Sequence, residues 1–252
     1  MKCLLPSTRK FYTLLDFIKK FESLVKFQCT SEGITIFSMS GCHSVFVDVK
    51  LHRQFFTEYE CGEHEELHLD LSSIVNILKN FGDKDQLVLA STSDTCTLDI
   101  VGTDGSFSQY CIKQMHIESE EMQIPEIVEN VTIQCSPIYF NGWKKKVLDV
   151  TKNKISLHPT EKSITISSKD TVNGKASTTV NVPGNDIKYL RFDNPGPIEL
   201  GNKNLCTIFE MGKLSNSVDF GWANDMPVRF GVTFDEKSHL NVYMAPMIMD
   251  ED

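Results

Sequence analysis

The amino-acid sequence predicts an α+β fold, dominated by antiparallel sheet and built as two tandem copies of one domain with two helices each. Three observations carry this. A helical face, an alternating strand and a second helical face each recur at an almost constant distance along the chain. Short alternating segments separated by turn residues account for most of the remainder. Finally, 252 residues with 40% hydrophobic and 23% charged side chains suit a soluble protein with real hydrophobic cores, and exclude a disordered or fibrous chain.

The first helical face is Phe11, Leu14, Ile18 and Phe21, spaced i, i+3, i+7, i+10. It returns 129 residues later as Phe140, Trp143, Val147 and Val150. The strand Ile34-Thr-Ile36 returns at an offset of 130 as Ile164-Thr-Ile166. The second face, Leu69, Ile74, Ile77 and Leu78, returns at 131 as Leu200, Leu205, Ile208 and Phe209. A drift of two residues over three elements is what small loop changes produce, so the chain reads as a duplication. Helices are expected over 9–22, 71–80, 140–152 and 202–213. Strands are expected in VFVDVKL, QLVLAS, TCTLDIVG, KASTTVNV, PVRFGVTF and HLNVYM, with Asp104-Gly105 as a hairpin turn. Two helices per copy can cover only one face of its sheets. From Met115 to Asn130 the chain is acidic, broken by Pro125 and without a sustained helical period, which predicts an extended linker. The expected domains are therefore 1–116 and 131–252, joined by 117–130.

No stretch reaches the roughly 18 apolar residues of a membrane helix, and Met1 to Lys10 has no apolar run to serve as a signal peptide. An intracellular protein is expected, with its eight dispersed cysteines as isolated thiols. The net charge of −9 argues on its own against a partner held by bulk positive charge, but its distribution is uneven. The four predicted helices carry +2, +1, +3 and +1; together that is +7, which leaves −16 for everything else. Lysines on one amphipathic helix commonly do no more than solvate its polar face. Four helices of one sign on a strongly acidic body point instead to a phosphate backbone as partner.

Four segments then carry a family resemblance: SEGITIFSMSGCHSVFVDVKL, LHLDLSSIVNILKNFGDKDQLVLAS, YCIKQMHIESEEMQIPEI and the terminal HLNVYMAPMIMDED. In their order and spacing the chain resembles, across nearly its whole length, a divergent eukaryotic-type DNA sliding clamp of the proliferating cell nuclear antigen family. The resemblance implies a homotrimeric, pseudo-sixfold ring around double-stranded DNA, with helices lining the hole and sheets outside. It implies a processivity factor for DNA polymerase and a docking platform for replication and repair proteins, not an enzyme. Contacts to DNA would be independent of sequence, which lets a clamp slide. By position Lys19, Lys79 and Lys145 resemble the DNA-facing residues of the family, with Lys20, Lys144, Lys146 and Lys203 beside them, while Asn76 and Glu210 stand where the family usually has lysine. Partner peptides would be held by Met39, His43, Phe46, Met122, Ile124, Pro227, Tyr243, Ala245, Pro246 and Ile248. Alternation by itself would bury Met39 and Phe46 in a core; the convergence of three distant segments and repackable methionines favours a pocket. Ring closure would pair Phe107–Lys113 of one chain with Lys175–Asn181 of the next. No nucleotide-binding Gly motif occurs, so loading would need a separate ATP-dependent loader. No cofactor, metal or membrane partner is expected, and the location implied is the nucleus or a viral replication site.

Within the same class the alternative is a subunit of a heterotrimeric DNA-damage checkpoint clamp, against which the intact Ala245-Pro246 terminus and the linker weigh. The distant alternative is a zinc hydrolase, since His64-Glu65-Glu66-Leu67-His68 fits HExxH. That chemistry needs a helix, whereas Leu67, Leu69 and Leu71 alternate as in a strand, along which four residues span about 13 Å. Cys42 and His43 could be offered as nucleophile and base, but neighbours on a strand point to opposite faces.

Overall fold

The computed structural model describes residues 1–92, 94–115, 127–150, 154–170 and 174–247. The chain forms two compact units, Met1–Gln123 with Thr233–Leu240, and Ile124–Val232 with Asn241–Asp252. The first repeat runs β1 (Lys2–Leu5), α1 (Thr8–Ile18), β2 (Leu24–Thr30), β3 (Gly33–Met39), β4 (Val45–His52), β5 (Glu58–Glu60), β6 (Glu65–Asp70), α2 (Leu71–Leu78), β7 (Gln86–Ser91), β8 (Thr95–Val101) and β9 (Phe107–Lys113). The second runs β10 (Val131–Cys135), α3 (Pro137–Trp143), β11 (Lys154–Thr160), β12 (Ser163–Asp170), β13 (Gly174–Asn181), β14 (Ile187–Phe192), β15 (Ile198–Gly201), α4 (Asn202–Ile208), β16 (Val218–Trp222), β17 (Val228–Thr233) and β18 (His239–Met244). A π-helical turn, Lys144–Leu148, continues α3, and a 3-10 turn, Phe209–Lys213, continues α4.

The order of elements is the same in both repeats, and so is the pairing. β1 lies between β5 and β7 as β10 lies between β14 and β16. β2 lies between β3 and β6 as β11 lies between β12 and β15. Each repeat thus has one run of paired strands ordered β5-β1-β7-β8-β9 or β14-β10-β16-β17-β18, and a second run ordered β4-β3-β2-β6 or β13-β12-β11-β15. One tyrosine that periodicity does not reveal marks the duplication. Tyr59 on β5 donates its hydroxyl to the carbonyls of Thr30 and Gly33 at 2.8 and 2.9 Å, and Tyr189 on β14 donates to Thr160 and Ser163 at 2.7 and 2.8 Å. Each closes the hairpin between the first two strands of the second run.

Strand alternation supplies the core: Val25, Phe27 and Cys29 on β2, Leu87 and Leu89 on β7, and Cys96, Leu98 and Ile100 on β8 are all buried. The helices close over these faces with Phe11, Leu14, Leu15, Phe17 and Ile18 of α1 and Leu71, Ile74, Val75 and Leu78 of α2. Side-chain caps start them: Ser7 Oγ accepts from Lys10 N at 3.1 Å, and Asp70 Oδ1 from Ser72 N at 2.9 Å. Ser136 caps α3, and Pro137 in its first turn starts it three residues before the expected 140. Val150 does not join the buried face as the 129-residue spacing predicted; it is 47% exposed. The π turn is the reason. Its bond from Asp149 N to Lys144 O spans five residues, which rotates the following face and buries Val147 and Leu148 side by side. The Asp104-Gly105 turn forms as expected, with Gly105 at φ +82° and Asp104 Oδ1 accepting from Ser106 N.

In unit 2 a largely buried arginine lies across the outer surface of the sheet. Arg229 on β17 donates from Nε to Glu129 Oε1 at 2.6 Å, from Nη1 to Asp219 Oδ2 at 2.5 Å and from Nη2 to Glu129 Oε2 at 3.3 Å. Thr132 Oγ1 also donates to Glu129. Glycines at 221 and 231 make the space, since a Cβ at either would run into the Glu129 carboxylate or the Arg229 guanidinium. Burial disfavours the charged guanidinium, but its bonds to Glu129 and Asp219 outweigh this and raise its pKa. Removing the cation leaves two carboxylates stranded, so Arg229→Met should cost about 3–5 kcal/mol, read from the urea unfolding midpoint, with Arg229→Lys losing less.

Among the cysteines, burial pushes the thiols of Cys3, Cys96 and Cys135 up to about 12, whereas Cys42 and Cys111 are exposed. A raised folded-state pKa contributes stability in full below the ordinary thiol value of about 8.5, and loses it as pH climbs towards the folded value. The unfolding midpoint should therefore fall between about pH 8.5 and 10.5. At about pH 8, iodoacetamide should label Cys42 and Cys111 well before the four buried thiols, Cys3, Cys29, Cys96 and Cys135, as read by mass spectrometry.

Candidate nucleic-acid interface and docking surfaces

Each helix has one face committed to the core, and the residues left outside are mostly cationic or neutral polar. In unit 1, α1 and α2 pack side by side. Their outer positions include Arg9, Lys10 and Lys20 on and just after α1, and Ser73, Asn76 and Lys79 on α2, all exposed, with Lys19 half-exposed. In unit 2, α3 and its π turn pack against α4 and its 3-10 turn. Here Lys145, Lys146, Lys203 and Lys213 are exposed and Lys144 is half-exposed. Every predicted basic residue therefore lies on or at the end of a helix of its own unit, with its head directed away from the core. Lys152, counted in the predicted helix charge, lies outside the described residues.

These cations are of two kinds. Lys19 and Lys20 both reach Asp16, at 3.6 and 3.8 Å, and Lys144 and Lys213 both reach Glu210, at 3.8 and 2.8 Å. Lys79 meets the Asn76 amide, at 3.5 Å, and has no ion pair among the described residues. Lys145, Lys146 and Lys203 have no ion pair among the described residues. Such a surface offers flexible point charges to a polyanion and no rigid donor array to read bases.

The residues expected to dock partner peptides fall in both units. In unit 1, Met39 and Phe46 are directly opposite on β3 and β4, and both are half-exposed. The core position that alternation alone would give them is not where they lie. Ile34, Ile36 and Ser38 take the inward face of β3, which turns Phe37 and Met39 outward. Phe37 stacks on Phe46 with ring centroids 5.9 Å apart, an apolar contact that the sequence reading missed. His43 lies in the β3–β4 turn at φ +54°, exposed, and Cys42 shares that turn, with Sγ 2.9 Å from Ser44 Oγ. The pair thus occupies a turn and not a strand. In unit 2, Pro227 and Tyr243 are half-buried, Ala245 is exposed and Pro246 half-buried, and Met247 N donates to Glu199 O at 2.8 Å. Met122, Ile124 and Ile248 lie outside the described residues, as does most of the expected linker.

The HEELH segment is extended. All of it but His64 lies in β6, and Glu66 sits between the two histidines, with His64 Nε2 at 3.4 Å, His68 Nε2 at 3.5 Å and Lys26 Nζ at 3.2 Å. Burial raises the Glu66 pKa, but the bonds from Lys26 and His68 outweigh it and lower the pKa on balance. A zinc-hydrolase helix places its histidines one turn apart, and this strand does not. Elsewhere in unit 2, an open depression of about 660 Å³ is lined by Ser136, Asp186, Lys188 and Ser217 among others, and contains none of the predicted site residues.

Residues 6–127 match the family model for the proliferating cell nuclear antigen, N-terminal domain. Among curated proteins, the proliferating cell nuclear antigen of Chaetomium thermophilum is 24% identical over 249 residues, 95% of each chain. That of Saccharomyces cerevisiae is 26% identical over 253 residues, 96% of each. A probable DNA polymerase sliding clamp 2 of Paramecium bursaria Chlorella virus 1 is 25% identical over 226 residues, 88% of this chain and 81% of the viral one.

The division of the lysines predicts unequal effects. Replacing Lys145 and Lys146 together with alanine should weaken binding to a duplex of any sequence and flatten the dependence of log K on log salt by about 1.8. Replacing Lys19 and Lys20 should do less, because Asp16 already holds them. Fluorescence anisotropy over a salt series checks this, and equal losses would contradict it.

Proposed function

The chain is a divergent member of the proliferating cell nuclear antigen family, and from that premise we infer that it is a DNA sliding clamp. It encircles double-stranded DNA, keeps a DNA polymerase on its template and gives replication and repair proteins a place to dock. The observation that carries the reading is the division of charge: among the described residues, lysines gather on the helices, their caps and the turns that continue them, on a chain whose net charge is −9. A phosphate backbone is the partner that such a surface holds without reading sequence.

Further parts of the proposal follow from the edges of the sheets. β9 ends one sheet of the first repeat and β13 ends one sheet of the second, so the outer side of each is open to another chain. We propose that β9 of one chain pairs with β13 of the next and closes a homotrimer. Partner peptides are taken up by Met39, His43, Phe46 and Phe37 of unit 1 and by Pro227, Tyr243, Ala245 and Pro246 of unit 2, with Met122, Ile124 and Ile248 contributing. The clamp is a scaffold without catalysis of its own, it is opened by a separate ATP-dependent loader, and it acts where DNA is replicated, in the nucleus or at a viral replication site.

Light scattering coupled to chromatography at two concentrations should give the mass of three chains. Breaking the β9 edge with Gln109→Pro should give one chain, because proline removes a ladder donor. A wild-type mass of one chain at every concentration, with and without DNA, would overturn the homotrimer and turn attention to a heteromeric checkpoint clamp.

A further inference from the structure

We propose that Asp16 and Glu210 are built-in counterions that compete with DNA phosphate for the lysines of the helical layer and so set how loosely the clamp holds its duplex. The inference rests on the DNA-binding reading above and deepens it.

Each repeat holds one such carboxylate between two lysines. Asp16 is 3.6 Å from Lys19 and 3.8 Å from Lys20, one helical turn along the same element. Glu210 is 2.8 Å from Lys213 on its own 3-10 turn and 3.8 Å from Lys144 on the neighbouring π turn, so it joins the two helical elements of its repeat. Neither carboxylate is deeply buried: their side chains are 33% and 26% exposed. Pairs in such settings add little to stability, which makes stability a poor explanation for them. It also makes them exchangeable, since a phosphate can replace a weakly held carboxylate at little cost.

The consequence concerns the free energy of binding. A lysine that brings a mobile counterion releases it on meeting phosphate, and this release drives association. A lysine already neutralised by a fixed carboxylate releases less, and that carboxylate then stands beside the incoming phosphate and repels it. The layer therefore has strong contacts at Lys145, Lys146 and Lys203 and weak, self-screened ones at Lys19, Lys20, Lys144 and Lys213. The neutral Asn76 beside Lys79 shows the unscreened alternative within the same layer. Weak contacts distributed among strong ones suit a ring that must stay on its track without stopping.

The test uses the full chain and a short fluorescent duplex, titrated by anisotropy from 50 to 200 mM KCl. Glu210→Gln and Asp16→Asn should each tighten binding about threefold to fivefold at the lowest salt. Each should also steepen the log K against log salt slope by about 1. Lys144→Gln together with Lys213→Gln should cancel most of the gain from Glu210→Gln. Glu236→Gln, which neutralises an exposed acid in the β17–β18 turn, controls for net charge. The proposal is overturned if Glu210→Gln and Asp16→Asn do no more than Glu236→Gln while Lys145→Ala/Lys146→Ala still weakens binding; duplex binding itself would then stand. If the wild type does not bind duplex at any salt, the DNA-binding reading and this proposal fall together.

Discussion

Each repeat must cover the apolar faces of two sheets with two helices of at most 11 residues, and this requirement decides where nearly everything else goes. The contact faces of the helices are consumed by burial, as Phe11, Leu14 and Ile18 or Phe140, Trp143 and Val147 show. Whatever charge the helices carry is therefore displaced to the opposite side. A basic surface on an acidic chain follows from amphipathicity once the polar positions hold lysine. Second-repeat helices are shorter still, and the π turn after α3 fits the adjacent Val147 and Leu148 into the core while lifting Lys145 and Lys146 to the surface.

The sheets meet a complementary demand. Their backbone groups have to be paired, and hairpin ladders do this for most strands, with Tyr59 and Tyr189 closing the same hairpin in the two repeats. β9 and β13 are left at the ends of their sheets. At the start of the second repeat the charge network of Arg229, Glu129 and Asp219 fixes Glu129, at the end of the expected linker. In the proposed assembly, oligomer formation and linker anchoring are both attached to the sheets, while contact with DNA is attached to the helices. The two kinds of interaction can change independently.

Much of this was legible from residue pattern. Apolar spacing located all four helices, alternation located the strands named from it, and the offset of about 130 residues announced the duplication. The errors are equally physical. Alternation gives the two faces of a strand but not which one meets the core, so Met39 and Phe46 could be placed only once Ile34 and Ile36 were seen to face inward. Helical spacing assumes 3.6 residues per turn, and a single π turn sufficed to expose Val150. Cys42 and His43 were read as strand because nothing local marks the turn that carries them.

By itself the sequence determined the fold class, the repeat and the sign of the helical surface, because these depend on periodicity and composition summed over many residues, and four of its segments carried the resemblance to sliding clamps. Tertiary structure alone decided which lysines are already paired, that Phe37 belongs with Phe46, and that Gly221 and Gly231 make room for a buried arginine. Those features depend on distances between residues far apart in the chain or on either side of a turn. Distances of that kind exist only after the backbone has closed, and no pattern along the chain encodes them.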